Sequence, residues 1–249
     1  MAVQASAAIL AVWKKFDEFP METLTKAWHR GGQRTVAEMK EHRAKYGTSG
    51  NCFDLAIWLL DEFRAAGITA YGVGHDLGTS DAHVAVVAED ELGSRYLCDL
   101  GDLWLQPILL DPARPEFTGD KLKGFFPAAE VQVAVQGDRC EVCYFRPNGK
   151  VSRQEYDLTP ISEHDLMVAA EACQHDYRQA LVEFRVPHGA ETAHWEFCDW
   201  ESFLSTSEGL YPEEQLATIE AWCERIHLRT GLDKAVLQES LSFYQNSMK

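Results

Sequence analysis

Long hydrophobic runs are missing from this chain. The longest near its N-terminus, Ala7 to Trp13, is followed at once by Lys14 and Lys15 and falls far short of the roughly 20 apolar residues a membrane-spanning helix needs. No charged segment stands ahead of it, so a secretory signal is not expected and a cytoplasmic setting is. Positive charge is scarce too: 23 Lys and Arg face 39 Asp and Glu, a net charge of −16 with neutral histidine, and the acidic residues are spread along the chain. Such a surface repels polyanions, so neither nucleic acid nor an anionic membrane is an expected partner. Internal repeats, low-complexity tracts and Gly/Ser linkers are also lacking, which leaves only soft domain boundaries. The seven cysteines are an odd number at scattered spacings. In a chain able to bury its own core they argue for reduced thiols over a disulfide framework.

What the chain does have is length and apolar content for a self-sufficient core: 249 residues, 46% of them hydrophobic. Helical spacing is expected over Ala7 to Phe16, from about Glu22, and from about Thr35 to Lys45, before Gly47 to Gly50 breaks the pattern. From Cys52 to Ala66 the residues Phe53, Ala56, Ile57, Leu60 and Phe63 form one apolar stripe, and Gly67 is placed to end the helix. Strand patterns follow over Ile68 to Val73, His83 to Ala88 and Arg95 to Leu100, then Val131 to Val135, Arg139 to Phe145 and Val151 to Leu158. Pro147-Asn148-Gly149 reads as a hairpin turn. Further on, Ser162 with Asp165 opens a helix to about Gln174, and Leu181 to Val186 and Thr192 to Trp200 read as strands. Pro212 reads as the first turn of an amphipathic helix carrying Leu216, Ile219, Trp222, Cys223 and Ile226, and Asp233 as the cap of the last helix. The expected class is α+β: an N-terminal helical bundle (1–80), a central antiparallel sheet or barrel (81–160) and a C-terminal mixed α/β lid (161–249).

Cys52 is the candidate nucleophile. It opens the clearest helix, behind a turn in which Asn51 or Ser49 can cap, where unpaired amides and the helix dipole favour a thiolate and an oxyanion. An ordinary thiol, with a pKa of about 8.5, is only a few per cent ionised at neutral pH, so a base is needed. Asp54 in the same first turn competes for the dipole and strengthens that need. His83 answers it on a register argument. A five-residue loop, Glu89 to Gly93, pairs Ala88 with Ser94, Val86 with Tyr96 and Val84 with Cys98, and sets His83 opposite Asp99 on the same face. Asp99 then orients the imidazole while its other nitrogen takes the Cys52 proton.

At these residues the sequence resembles two families that share a papain-like core, the arylamine N-acetyltransferases and the transglutaminase-like enzymes. Gly50-Asn51-Cys52-Phe53-Asp54-Leu55, Ala66-Gly67-Ile68-Thr69-Ala70, Ala82-His83-Val84-Ala85-Val86 and Cys98-Asp99-Leu100-Gly101 follow the order both use. The resemblance implies Cys52 as nucleophile, His83 as base and Asp99 as orienting acid. Phe19-Pro20-Met21-Glu22-Thr23-Leu24 resembles a weakened Pro-Phe-Glu-Asn motif of the acetyltransferases, Asp99-Leu100-Gly101 their Asp-Val-Gly, and Tyr156-Asp157-Leu158-Thr159-Pro160 the entry to their third domain. The likeness implies an acyltransferase working through a Cys-linked acyl-enzyme. An acyl-CoA or another acyl-thioester would be the donor and an amine or hydroxyl compound the acceptor, with no permanently bound cofactor. Two departures stand out. The Arg-Gly-Gly that usually precedes the nucleophile is replaced by Gly47-Thr48-Ser49-Gly50-Asn51, which removes the arginine, and no basic cluster for coenzyme A phosphates is evident in the third region. A transglutaminase-like hydrolase or amidase, and a non-catalytic domain retaining the fold, are the alternatives.

Trp104 and the pair Phe125-Phe126 are candidates for an aromatic substrate wall, with core packing as the competing role. No metal site is expected: Cys140-x-x-Cys143 lacks a second pair and lies on a strand, where positions three apart face opposite ways. His194 and Cys198 have helical ligand spacing inside a segment that alternates as a strand. His75, beside the glycines from Gly72 to Gly78, is a candidate for a site entrance outside the triad. Oligomeric state is open at this level.

Overall fold

A computed structural model describes residues 4–247. The N-terminal part supplies α1 (Ala7–Trp13), which tightens into a 3₁₀ turn over Lys14–Phe16, then β1 (Met21–Glu22), α2 (Leu24–His29), α3 (Val36–Tyr46) and α4 (Cys52–Ala65). The middle is a succession of strands: β2 (Ala70–His75), β3 (His83–Glu89), β4 (Arg95–Cys98), β5 (Ile108–Leu109), β6 (Leu122–Phe126), β7 (Ala129–Gln136), β8 (Arg139–Phe145) and β9 (Val151–Asp157). After α5 (Glu163–Gln174) come β10 (Leu181–His188), β11 (Glu191–Cys198), β12 (Glu201–Thr206), β13 (Gly209–Pro212), α6 (Ile219–Thr230) and α7 (Lys234–Ser247).

The eight middle strands form one antiparallel sheet in the order β5-β4-β3-β2-β9-β8-β7-β6. It curls until the ends approach again, where Leu105 N–H donates to the Phe125 carbonyl at 2.8 Å. A second antiparallel sheet, β1-β10-β11-β12-β13, takes its first strand from the N-terminal part of the chain. Each sheet has its own apolar core. One joins Ile9, Trp13, Phe16, Phe53, Leu59 and Phe63 of the helices to Val84, Val86, Leu97, Val131 and Val142 of the large sheet. The other packs Val182, Trp195 and Phe197 against Trp222, Ile226, Leu237 and Leu241. The architecture is α+β, as the hydrophobic patterning implies. No helix among the described residues is long and apolar enough to cross a membrane.

Two local expectations fail for identifiable reasons. The β3–β4 loop holds five residues, as expected, but they are Asp90 to Ser94 rather than Glu89 to Gly93. Asp90 N–H donates to the Ser94 carbonyl, Asp90 Oδ1 accepts from the amides of Leu92 and Ser94, and Gly93 takes the left-handed conformation (φ +72°) that lets the chain turn back. The register therefore pairs Val86 with Cys98 and Ala88 with Tyr96, a slide of two residues from the expected pairing. Because the slide is even, every side chain keeps its face. Pro212 does not start a helix but ends β13. Thr218 caps α6, its hydroxyl accepting from Ala221 N–H, because a β12–β13 hairpin uses the intervening segment. Ser162 and Asp233 cap α5 and α7 as their spacing implies.

Candidate active site

Cys52 is the first residue of α4. Asn51 caps it, with Oδ1 accepting from Phe53 and Asp54 N–H at 2.9 and 3.1 Å, while Asp54 Oδ2 accepts from Asn51 N–H at 3.1 Å. That reciprocal cap uses two first-turn amides. Cys52 N–H has no partner among the described residues and stays free to donate. Asp54, expected to compete for the helix dipole, is instead sealed beneath the turn, where Gln33 and Gln174 donate to it and Arg34 lies 3.4 Å away. Arg34 also donates to the Ser49 carbonyl at 3.1 Å. A guanidinium thus reaches this loop from outside the nucleophile motif, where local sequence shows none.

The loop before Cys52 hangs on Glu22, which is fully buried. Its carboxylate accepts from Ser49 N–H (3.2 Å), Gly50 N–H (2.7 Å), Thr25 N–H (2.7 Å) and the Thr25 hydroxyl (2.5 Å). Burial pushes this carboxyl up despite those donors. β1 adds Glu22 N–H to the Gly50 carbonyl at 2.9 Å.

His83 opens β3 and Asp99 directly follows β4. In the observed register they are diagonal neighbours rather than opposed, and the imidazole spans the offset: Nε2 lies 2.8 Å from Asp99 Oδ2. The same oxygen accepts the Tyr156 hydroxyl at 2.6 Å, and Oδ1 accepts from Asp102 N–H at 2.9 Å. Asp99 is fully buried. Burial alone would raise its carboxyl, but His83, the Tyr156 hydroxyl and the Asp102 amide hold it below the usual value. Burial likewise opposes charge on His83. The Asp99 carboxylate and then Cys52 outweigh it and set the imidazole well above the ordinary histidine value. Tyr156 comes from β9, far along the chain, and stands in the sequence only as the first residue of the Tyr156–Pro160 segment, which gives it no part in the site.

Gly101 shows how tightly these groups meet. A methyl carbon placed on it would lie 2.6 Å from Cys52 Cβ, 2.9 Å from His83 Cε1 and 3.3 Å from Asp99 Oδ1. Cys52, His83 and Gly101 line one cleft of about 500 Å³ together with Asn51, Asp102, Cys173, Arg178 and Glu183. The arrangement can do nucleophilic chemistry: sulfur beside imidazole, imidazole braced by a carboxylate, and a free amide at a helix start.

Trp104, Phe125 and Phe126 do not line this cleft; they are buried in the core of the large sheet. Trp104 acts one layer back. Its indole N–H donates to the Tyr144 hydroxyl (3.3 Å), which donates to Asp102 Oδ2 (2.6 Å). Phe126 borders a second cavity of about 930 Å³, where Lys121, Lys123 and Arg146 gather. This is a basic cluster that the sequence spacing hides. His75 stacks on His83, with ring centroids 5.6 Å apart. Seven free cysteines are present, and Cys140 and Cys143 take part in no metal-type cluster among the described residues. His194 lies on β11 with Glu183 Oε1 3.0 Å from its Nε2, and Glu196 pairs with Glu183 across the strands. Burial, then the Glu183 charge, pushes Glu196 up to about 7.

Compared with solved structures, the chain superposes over nearly its whole length on the arylamine N-acetyltransferase of Salmonella typhimurium. The TM-score is 0.73 at 13% identity, covering 97% of this chain and 93% of that one. The fold is that of the arylamine N-acetyltransferases. The M. smegmatis arylamine N-acetyltransferase matches with a TM-score of 0.71 at 13% identity over 96% of this chain and 92% of that one. The Mycobacterium marinum enzyme, solved in complex with CoA, matches at 0.69 and 12% identity over 92% and 89%. No family model and no curated protein sequence matches. The arylamine N-acetyltransferase fold is thus kept at an identity where sequence comparison sees nothing.

Proposed function

We propose that the protein is a cysteine acyltransferase of the arylamine N-acetyltransferase kind. One observation carries this reading: Cys52, His83 and Asp99 converge around Gly101, with the sulfur at a helix start and facing an open cleft. In the first half-reaction the Cys52 sulfur, its proton taken by His83, attacks the carbonyl carbon of an acyl-thioester. The donor's C–S bond breaks, and His83 returns the proton to the leaving sulfur. Asp99 holds the ring by Nε2 and stabilises its charged form, while Cys52 N–H donates to the oxyanion. In the second half-reaction an amine or hydroxyl compound attacks the acyl-enzyme and gives its proton to His83, and Cys52 leaves as thiolate.

Acyl-CoA is the donor the reading favours, since a neighbour with the same fold holds CoA. In the second cavity Lys121 and Arg146 supply positive charge for a phosphorylated donor, while Lys123 lies 3.5 Å from Glu130 and Glu191 borders the same space. The test is intact-mass measurement after incubation with acetyl-CoA. One acetyl group per chain is expected on the parent protein and none on Cys52→Ala. An adduct retained in that variant overturns the reading. Decay of the adduct at one rate, whatever amine or alcohol is added, would identify a hydrolase instead.

A further inference from the structure

The walls of the Cys52 cleft are unlike a pocket for an aromatic amine. No Phe, Tyr or Trp ring borders it, whereas Asp81, Asp102, Asp176, Glu183 and Asp199 all do. Besides the His83 ring, which is tied to Asp99, one Arg and one Lys face them, and both are engaged. Arg178 bonds Asp176 at 2.9 Å, lies 3.5 Å from Asp81 and donates to the Ser80 carbonyl; Lys26 donates to the Cys173 carbonyl at 3.3 Å. Asp102 and Asp199 have no Lys or Arg partner among the described residues, and Glu183 meets only the imidazole of His194. The carboxylates do not define the site, since sulfur and imidazole do that. They set what can lie beside the sulfur.

We propose that the acceptor is an aliphatic diamine or polyamine, held through a charged ammonium by Asp102 and Glu183 while a second, uncharged nitrogen attacks the acyl group on Cys52. The inference rests on the acyl-transfer reading above and names its acceptor class. Three features favour it. Asp102 directly follows Gly101, the residue wedged against Cys52, and lines the same cleft with a carboxylate oxygen within 4.8 Å of a His83 ring nitrogen. Its Oδ2 is fixed by the Tyr144 hydroxyl, a neutral donor that leaves the negative charge in place. An ammonium is strongly attracted to carboxylates in a partly desolvated cleft, whereas a neutral aryl ring would strip water from them without return. The chemistry balances. The free-base nitrogen forms the C–N bond, the C–S bond breaks with its electrons on sulfur, and the nitrogen's extra proton passes to His83. The distal ammonium takes no part in bond making and serves as the handle.

The acceptor is tested on preformed acyl-enzyme: acetylated protein, freed of donor, is mixed with spermidine, n-butylamine or aniline, and loss of the adduct is followed by intact mass. Spermidine is expected to discharge the enzyme at least about tenfold faster than aniline or n-butylamine at equal concentration, with acetylspermidine as product. Asp102→Asn, which is isosteric, and Glu183→Gln are each expected to raise the half-saturating spermidine concentration about tenfold, the loss of one charge-assisted hydrogen bond. Glu91→Gln, at the exposed β3–β4 turn, should change nothing. Equal discharge by aniline, or equal weakening in the Glu91 variant, overturns the proposal, the latter because it marks nonspecific attraction to an acidic protein. Calorimetric titration of Cys52→Ala with spermidine separates the two readings. If the parent forms no acyl-enzyme, acyl transfer fails, and the titration still decides whether the cleft takes a polyamine. Absence of saturable binding there, or binding unweakened by Asp102→Asn, overturns the acceptor class by itself.

Discussion

Tyr156 places its hydroxyl 2.6 Å from Asp99 Oδ2, the same oxygen that lies 2.8 Å from His83 Nε2. A buried carboxylate is thereby shared between a ring that needs its charge and a phenol that moderates it. Burial, with the Asp99 charge second, pushes the phenol well above the ordinary tyrosine value, so it stays a neutral donor at any working pH. Tyr156→Phe is expected to cost roughly 1.5 to 3 kcal/mol of stability, the range for one hydrogen bond to a charged group. It should also slow acylation of Cys52 and alter its pH profile, since Asp99 loses a donor. Urea midpoints and the pH dependence of acyl-enzyme formation check this; a parent-like profile in a destabilised variant would leave Tyr156 a purely structural residue.

Thiol reactivity should single out Cys52. Burial pushes Cys140 and Cys173 up to about 12, Cys198 and Cys223 up to about 11, and Cys98 and Cys143 in the same direction. Cys52 lies instead at a helix start beside the His83 imidazole, which, against burial, the Asp99 carboxylate sets well above the ordinary histidine value. One equivalent of iodoacetamide at pH 7 is expected to modify Cys52 alone, and His83→Ala to slow that reaction at least about tenfold. Peptide mapping after a timed reaction checks both, and prior labelling of Cys173, which borders the same cleft, would contradict them.

Asp102 carries a pH signature. Burial first, and the neighbouring Asp99 charge second, raise its carboxyl from 3.8 to about 6. A value raised in the folded state means that folding favours the protonated form. The charged form therefore costs stability progressively as pH rises from about 4 to about 6, and fully above that. Asp102→Asn removes the cost. It is expected to stabilise the protein by roughly 1 to 3 kcal/mol at pH 7.5, with the difference vanishing near pH 4. Paired denaturation curves at the two pH values decide it, and a variant less stable than the parent at pH 7.5 would contradict it.

How much of this site could be read from the chain depended on whether the responsible forces were local. The α4 start was legible because Asn51, Asp54 and the apolar stripe act within a few residues of one another. The His83–Asp99 pairing survived a mistaken register because a slide of two residues preserves the face. The loop has the expected five residues but starts one residue later, because Asp90 binds the amides of Leu92 and Ser94 from within the turn and Glu89 stays in the strand. Arg34 carries no local signal, and Tyr156 and Glu22 stand inside quoted segments that do not reveal their roles, since each reaches the loop or the carboxylate from another element. For Trp104, Phe125 and Phe126 ring content alone leaves a substrate wall and core packing both open. Their burial follows from the curl of the large sheet, which no local pattern encodes.

Glu22 gives a test of that long-range dependence. It accepts four hydrogen bonds beneath the Cys52 loop, two of them from the amides of Ser49 and Gly50. Glu22→Ala would leave those amides buried without an acceptor, at an expected cost of roughly 3 to 5 kcal/mol. Glu22→Gln keeps one oxygen for them and should cost less. If the clamp sets the position of Cys52, iodoacetamide labelling should slow in both variants under conditions where far-UV circular dichroism shows the fold intact. Labelling at the parent rate in folded Glu22→Gln would mean that the Asn51 cap alone positions the sulfur.

Gly101 supplies the sharpest test of convergence. Alanine there would bring a methyl group to within 2.6 Å of Cys52 Cβ and 2.9 Å of His83 Cε1. Neither neighbour can yield cheaply, because Cys52 is fixed in the first turn of α4 and His83 is tied to Asp99. The variant therefore has to separate sulfur from imidazole while leaving the sheet intact. Acylation is expected to fall at least about a hundredfold, since displacement of about 1 Å at a reacting centre costs that much. Gly101 is buried, and overpacking there costs typically about 1 to 3 kcal/mol, so the thermal midpoint should fall by several degrees with the fold retained. A Gly101→Ala protein that folds and acylates at the parent rate would show that sulfur and imidazole do not work at the separation seen here.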